Sequence, residues 1–223
     1  RNENMLQEAL FQLSVHVQQQ HEYCVADFSD NNAVNTAIKS IVRDHKIHIL
    51  INNTGGPVAG TITAATANDF EDAFRQHLVN NQLLAQAVLP GMKEEGYGRI
   101  INIISTSVKI PIQNLGVSNT IRAAVAAWAK TLSNEVGQFN ITVNNVLPGS
   151  TQTARLGSLI EEMAKKKQLS RETVATAMMN TIPMKRFGLP EEIANVAAFL
   201  ASPAASYVNG ASIPVDGGRT GSI

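Results

Sequence analysis

Apolar residues along the chain repeat with two different periods, and stretches of the two kinds alternate. Helical spacing predicts helices at 2–17, 31–45, 68–96, 117–137 and 190–202, the third being one long helix or two joined at a bend, ended by Pro90 or Gly96. Short apolar runs predict strands at 23–28, 47–52, 98–105, 141–149 and 211–218. Strands separated by such helices are typical of βαβ units, which wind into a parallel sheet covered on both faces. We therefore predict a single doubly wound α/β domain over residues 1–223, in which the strand at 47–52 is buried on both faces.

Polar and small residues follow the predicted strands, after Asp27, Ile51, Ile104 and Val146. Ligands of open α/β sheets bind at the carboxyl ends of the strands. The segment NNTGGP at 52–57 has two glycines that let the backbone approach a ligand, and amides that can bond a ribose. Ser105 can donate to a carbonyl oxygen, and LPGSTQT at 147–153 can hold an amide or a phosphate. Each segment alone is also compatible with an ordinary polar turn.

The charges of the chain balance, with 18 Lys and Arg residues against 18 Asp and Glu residues. This balance argues against a nucleic-acid-binding protein, which would show a basic excess or a basic stripe. The single cysteine, Cys24, excludes a disulfide framework within the chain, which suits a cytoplasmic protein, and we expect it to be a small buried residue. No apolar run approaches the ~20 residues that span a membrane. No signal peptide is visible in a sequence that opens without methionine, and we predict no metal site.

Four segments together resemble the short-chain dehydrogenase/reductase family over essentially the whole chain. They are NNTGG at 52–56, RIINIIS at 99–105, ITVNNVLPGSTQT at 141–153 and the C-terminal stretch 182–218. The resemblance implies a Rossmann-like fold and an NAD(P)-dependent oxidoreductase that reduces a ketone or oxidises a secondary alcohol. The cofactor-binding positions that it implies are Arg1, Asp27, Asn52, Thr54, Gly55, Arg122, Pro148, Gly149 and Thr153.

The same resemblance implies a small-molecule carbonyl or alcohol substrate, with 3-oxoacyl-carrier-protein reductases as the leading class. It favours NADP over NAD if Arg1 follows the family's second strand, where a guanidinium can meet the 2′-phosphate. It also implies about 35 to 40 residues before Arg1, including the glycine-rich turn that binds the pyrophosphate. The family assembles through the helix at 117–136, so we expect a homotetramer or a homodimer. Residues 154–188 correspond to the family's mobile substrate lid.

The family's catalytic residues are largely replaced in this chain. Ser105 matches the serine that polarises the substrate carbonyl, but Ser118 occupies the position of the proton-transferring tyrosine. Arg122 occupies the position of the lysine, and His77 that of an asparagine in the preceding helix. A serine hydroxyl is much less acidic than a phenol, and losing a general acid typically costs about 10²- to 10⁴-fold in rate. Arg122 keeps a positive charge one helical turn from Ser118, where it can bond a ribose or stabilise an alkoxide.

These replacements leave different functions open. A slower reductase needs another proton source, and the candidates are His77, water held by Ser118, and Lys109. The alternative is a catalytically impaired protein that keeps the dinucleotide site and acts as a dinucleotide-binding or partner-binding module. A non-redox enzyme of the same fold, such as a lyase or a dehalogenase, is a third possibility.

Overall fold

Parallel strands form one sheet in the structure, a computed structural model that describes residues 2–15 and 19–221. The strands are Ile49–Asn52 (β1), Gly98–Ile103 (β2), Ile141–Pro148 (β3) and Ser212–Val215 (β4), and they lie side by side in that order. The α-helices of this part of the chain are Glu3–Gln12 (α1), Asn31–Asp44 (α2), Ala67–Phe74 (α3), Asn80–Glu95 (α4), Gly116–Val136 (α5), Ala154–Lys167 (α6), Arg171–Asn180 (α7) and Pro190–Ala201 (α8).

Helices pack on both faces of the sheet. On one face, Ile38 of α2 and Met92 of α4 pack with Ile100 of the sheet, and α5 completes this cluster. On the other face, α8 packs against a second cluster that contains Ile101 and Val146. Alternate residues of β2 therefore enter different cores, which explains why this strand is continuously apolar. The predicted parallel α/β architecture with two covered faces is confirmed.

The long helix predicted at 68–96 is interrupted by a π-helical turn. α3 begins at a capping box formed by Thr66 and Asp69, and the π turn Arg75–Val79 joins it to α4. α4 continues through Pro90 and ends at Gly96, whose φ of 61° is left-handed. A glycine is favoured there because a side chain would strain this conformation. Of the two predicted ends, Gly96 is therefore the one that the structure adopts.

Expectations near β1 are wrong in three respects. Residues 23–28 form no strand, and Cys24 is exposed rather than buried. Ile49 and Ile51 are 44% and 49% exposed, although we predicted a strand buried on both faces. The reason is the position of β1, which is the edge strand of the described sheet. The helix α8 packs on β2, β3 and β4. A strand needs a paired neighbour, and an apolar side chain needs a covering layer.

Between β3 and α8 the chain forms the helices α6 and α7, which lie within the 154–188 segment. α6 and α7 bury a cluster of their own that includes Leu156, Ile160, Val174 and Phe187. This segment therefore packs as a unit beside the carboxyl end of β3, with its basic residues Lys165, Lys166 and Lys167 in the last turn of α6. Within the described residues no helix has the length and apolarity needed to cross a membrane.

Candidate active site

A ladder of polar side chains crosses the sheet at the level of the carboxyl ends of β1 and β2. Nδ2 of Asn52 donates to Oδ1 of Asn102 at 2.8 Å, and Nδ2 of Asn102 donates to Oδ1 of Asn145 at 2.9 Å. Nδ2 of Asn145 then donates to Oγ of Ser212 at 3.0 Å. Each pair is directly opposite in the strand register. Because a buried amide left unpaired costs about 1–3 kcal/mol, the ladder fixes this register and the level at which the loops leave the sheet.

Thr54, just after β1, joins two of the predicted catalytic residues. Its Oγ1 lies 2.6 Å from Nδ1 of His77, and its carbonyl oxygen accepts a hydrogen bond from Nη2 of Arg122 at 3.3 Å. Nη1 of Arg122 donates to the carbonyl oxygen of Ile103, the last residue of β2, also at 3.3 Å. The π turn brings His77 into this contact, and such turns are frequent at functional sites. The structure thus brings Thr54, His77 and Arg122 together at the edge where ligands of this fold bind.

The ionisation of this cluster follows from its burial and from two guanidinium groups. Burial, with smaller contributions from the charges of Arg122 and Arg155, lowers the pKa of His77 to about 4. Burial and the charge of Arg155 lower the pKa of Arg122 to about 10. At neutral pH, His77 is therefore uncharged and Arg122 is positive. In the described residues no Asp or Glu forms an ion pair with Arg122.

Ser105 and Ser118 reach the same edge from different elements. Ser105 follows the end of β2 and caps the 3₁₀ turn Thr106–Val108, where its Oγ accepts a hydrogen bond from the Ser107 N–H at 3.1 Å. Ser118 is 7% exposed and lies on α5 one turn before Arg122. Residues four apart on a helix share a face, so the Ser118 hydroxyl and the Arg122 guanidinium present a neutral donor and a cation to the same space.

A cavity of about 400 Å³ lies beside the loop that follows β1. Asn53, Thr54, Gly55 and Gly56 line one side of it, and Cys24, Ala26 and Phe28 line another. A Cβ added at Gly55 would meet no atom within 4 Å, so the backbone there is open to a ligand. Asp27, predicted to contact the cofactor, lies between two of the lining residues, and its Oδ1 accepts hydrogen bonds from the N–H and the hydroxyl of Ser29. The size and open backbone fit a nucleotide-sized group.

The predicted loop at 147–153 is held by close packing and by capping. A Cβ at Gly149 would lie 2.6 Å from Cβ of Asp216, so no side chain fits there. Pro148 ends β3, and Thr153 caps α6, its Oγ1 accepting from the Leu156 N–H at 3.3 Å. Asn52 donates its amide within the ladder, and its Oδ1 is buried without a partner in the described part of the chain. Arg1, the remaining predicted cofactor residue, lies outside the described residues.

Arg155 is a candidate that the sequence analysis missed. It lies in the first turn of α6 and reaches the loop after β1, where its guanidinium donates to the carbonyl oxygens of Gly56 at 3.4 Å and Pro57 at 3.2 Å. Arg155 acts electrostatically on both His77 and Arg122. Its position two residues after Thr153 is the only sequence signal. That signal does not reveal a partner nearly one hundred residues earlier.

Comparison with known proteins assigns the family. The sequence matches the family model described as Enoyl-(Acyl carrier protein) reductase over residues 1–220. The NADPH-dependent reductase BacG of Bacillus subtilis is 35% identical over 178 residues, which are 80% of this chain and 69% of BacG. The 3-oxoacyl-[acyl-carrier-protein] reductase MabA of Mycobacterium tuberculosis is 32% identical over 194 residues, 86% of this chain and 74% of MabA.

A solved structure agrees with these relatives. It is that of YwfH, an NADPH-dependent reductase involved in bacilysin biosynthesis, with a TM-score of 0.84 at 33% identity, covering 90% of this chain and 78% of YwfH. The family model spans nearly all of the chain, and the sheet, its flanking helices and the polar strand ends fit the same assignment. The chain belongs to the short-chain dehydrogenase/reductase family of oxidoreductases.

Proposed function

We propose that this protein is an NADP-dependent reductase of ketones, with 3-oxoacyl thioesters as the first substrates to test and a secondary alcohol as the product. The family supports the reaction type, and BacG and MabA support the cofactor and the substrate class. The observation that carries the proposal is Arg122. This buried cation has no ion pair in the described residues and lies one turn from Ser118, at the edge where a carbonyl oxygen would bind.

The residues around the cavity fit a dinucleotide. Asn53, Thr54 and Gly55 would hold it on one side and Asp27 on another, while Pro148, Gly149 and Thr153 would meet its nicotinamide end. When bound, NADPH would supply the hydride. Arg122, beside Thr54, would have a donor available for the ribose or for the substrate oxygen.

The roles of the remaining residues follow from their chemistry. The hydroxyls of Ser105 and Ser118 would donate hydrogen bonds to the substrate oxygen, and Arg122 would stabilise the negative charge that develops there. With its pKa lowered to about 4, His77 is a neutral imidazole at neutral pH and lacks the acidic proton of an imidazolium. Lys109 is exposed at the end of the 3₁₀ turn. Of the predicted proton sources, we therefore propose water held by Ser118.

Nicotinamide absorbance over time tests this proposal. We expect the full-length protein to consume NADPH with a panel of ketones that includes a 3-oxoacyl thioester. Ser105→Ala and Ser118→Ala should each slow the reaction by about 10-fold or more, since each removes a hydrogen bond to a charged oxygen. The matched control is Ser133→Ala. Ser133 is a buried serine on α5, the helix of Ser118, and it donates to the Lys130 carbonyl. A loss in the control as large as in Ser118→Ala would contradict the assigned roles.

The alternative function, a dinucleotide-binding or partner-binding module, predicts NADPH binding without consumption. The observation that favours this alternative is that position 118 carries a serine, whose hydroxyl is much less acidic than the phenol of a tyrosine. The pair Ser118→Tyr with Arg122→Lys restores the family residues, and a latent reductase should gain activity from it. Unchanged NADPH binding and fold with no gain would favour the module.

We also propose that the protein assembles through α5 and that α6 and α7 form a substrate lid. Ala123 and Ala127 are exposed on α5, and such small residues allow a second helix to approach closely. Light scattering should report a homodimer or a homotetramer. Ala127→Arg should shift the mass to the monomer, whereas Lys130→Arg, on the same helix, should not.

A further inference from the structure

Arg155 carries a charge that its present contacts leave unmatched. Its two hydrogen bonds, at 3.4 Å and 3.2 Å, reach neutral carbonyl oxygens and are long for charge-assisted bonds. None of the ion pairs formed within residues 2–15 and 19–221 includes Arg155. Arg155 is exposed, so much of the hydrogen-bonding capacity of its guanidinium faces solvent and stays available to a ligand.

The guanidinium lies close against the backbone of Gly56. A Cβ at Gly56 would lie 2.8 Å from both Nη1 and Nη2 of Arg155, so any other residue at position 56 would displace the side chain. The contact also joins the lid segment to the loop that carries Thr54, whose Oγ1 contacts His77. Arg155 thus contacts the loop after β1 from α6, and Arg122 contacts the same loop from α5.

Arg122 and Arg155 bring two positive charges to this edge, and the carboxylate of Asp27, which accepts hydrogen bonds from Ser29, lies beside the cavity. Arg122 and Arg155 are cationic, and His77 is neutral. The carboxylate of Asp216, beside Gly149, accepts hydrogen bonds from the backbone N–H groups of Gly218 at 3.0 Å and Thr220 at 2.7 Å. Within the described residues no ion pair joins a carboxylate to Arg122 or Arg155, so this pair of cations favours the binding of an anion.

We propose that Arg155 binds a carboxylate of the substrate, so that the preferred substrates are keto acids rather than neutral ketones or 3-oxoacyl thioesters, which have no free carboxylate. The planar guanidinium matches a carboxylate in a two-bond geometry. Binding would exchange the long bonds to Gly56 and Pro57 for charge-assisted ones, and would place the carbonyl of the same molecule toward Arg122 and Ser118. This inference rests on the proposed reductase function. A phosphate of NADPH is the other anion that could bind Arg155. The test below distinguishes this phosphate from a substrate carboxylate.

The test compares acetoacetate with methyl acetoacetate, which differ in the charged group. In the full-length protein, we expect Arg155→Gln to raise KM for acetoacetate about 10- to 100-fold, as expected for loss of a charged hydrogen-bonded pair. KM for methyl acetoacetate and the Kd of NADPH, measured by fluorescence, should change less than about twofold. Glutamine retains an N–H donor for the loop carbonyls, so lid closure is disturbed as little as possible. Arg171→Gln, an exposed arginine at the start of α7, is the matched control.

The other outcomes overturn the inference in distinct ways. A weaker Kd of NADPH with equal effects on both substrates would assign Arg155 to a cofactor phosphate. If neither KM nor the Kd of NADPH changes, Arg155 serves only to link α6 to the loop after β1. If the wild-type protein consumes no NADPH with either compound, the reductase function fails. Calorimetry on the NADP⁺-bound protein then decides the inference separately: binding of acetoacetate, but not of its ester, that is lost in Arg155→Gln supports it, and equal or absent binding refutes it.

Discussion

Two buried arginines lie at opposite ends of β2, and they differ in what surrounds their charge. Arg99, at the start of the strand, is 1% exposed, stacks on the Tyr97 ring at 4.3 Å and donates to the carbonyl oxygens of Gly98 and Asn140. Arg122, against the end of the strand, also donates only to backbone carbonyls, but its charged neighbour is a second arginine, Arg155. An aromatic face stabilises a cation and a like charge does the reverse. The difference is consistent with a structural role for Arg99 and with our proposal that Arg122 contacts a ligand.

The largest expected effect is on activity at Arg122. Arg122→Met should lower kcat/KM for ketone reduction by about 10²- to 10³-fold, equivalent to roughly 3–4 kcal/mol, because it removes the cation that stabilises the developing charge. The free energy of unfolding should not fall, since a buried charge near a like charge is replaced by an apolar side chain. Steady-state kinetics and urea unfolding measure the two effects. If the variant loses stability but keeps its activity, Arg122 has a structural role and does not act on the substrate.

The second effect is the pH dependence of stability caused by His77 beside Arg122. The pKa of His77 is lower in the folded protein, about 4, than its ordinary value of 6.5, so folding releases a proton. Between these pH values the unfolded chain binds more protons than the folded one. The free energy of unfolding therefore rises with pH from about 4 to 6.5, and this rise is complete above pH 6.5. The difference is on the order of 3 kcal/mol.

Urea unfolding at several pH values checks this dependence. His77→Asn should flatten the curve within the window, while His45→Asn, an exposed histidine, should leave it unchanged. A slope that persists in His77→Asn would mean that another group carries it.

The third prediction compares the two positions through the same conservative change, arginine to lysine at Arg99 and at Arg122. Arg99→Lys should lower the free energy of unfolding by about 1–2 kcal/mol, because lysine loses the planar stacking on Tyr97 and part of the hydrogen bonding. Arg122→Lys keeps the charge near Ser118 and should retain most of the activity. Thermal unfolding and initial rates compare the two variants. Equal behaviour of both would show that the two arginines play the same part.

The smallest effect concerns the ring beneath Arg99. Tyr97→Leu should destabilise the fold by about 1 kcal/mol more than Tyr97→Phe, because phenylalanine keeps the face that stacks on the guanidinium. The hydrogen bond from the Tyr97 hydroxyl to the Ala201 carbonyl is lost in both variants, so it cancels in the comparison. Thermal unfolding of the two variants gives the difference directly, and indistinguishable values would remove the stacking argument.

Local patterns explain most of what the sequence predicted correctly. All four strands of the described sheet and most of the helices follow from apolar spacing, and α8 begins at Pro190 as the pattern indicates. Ser118 and Arg122 share a face of α5 because they are four residues apart on one helix. The strand predicted at 23–28 fails because strand formation depends on a neighbour, and the residues of the segment alone do not provide one. The roles of the site residues remain predictions until kinetics are measured.

The sequence by itself determined most of the order of helices and strands, the polar residues that follow the strands, and the spacing of Ser118 and Arg122 on one helix. Only the tertiary structure decided that Asn52, Asn102 and Asn145 form one ladder, and that Arg155 lies over Gly56. The physical reason is the range of the interactions. Helical and strand periods are set within a few residues, whereas a ladder needs strand register, and the Arg155 contact joins groups that are adjacent only after the sheet has assembled.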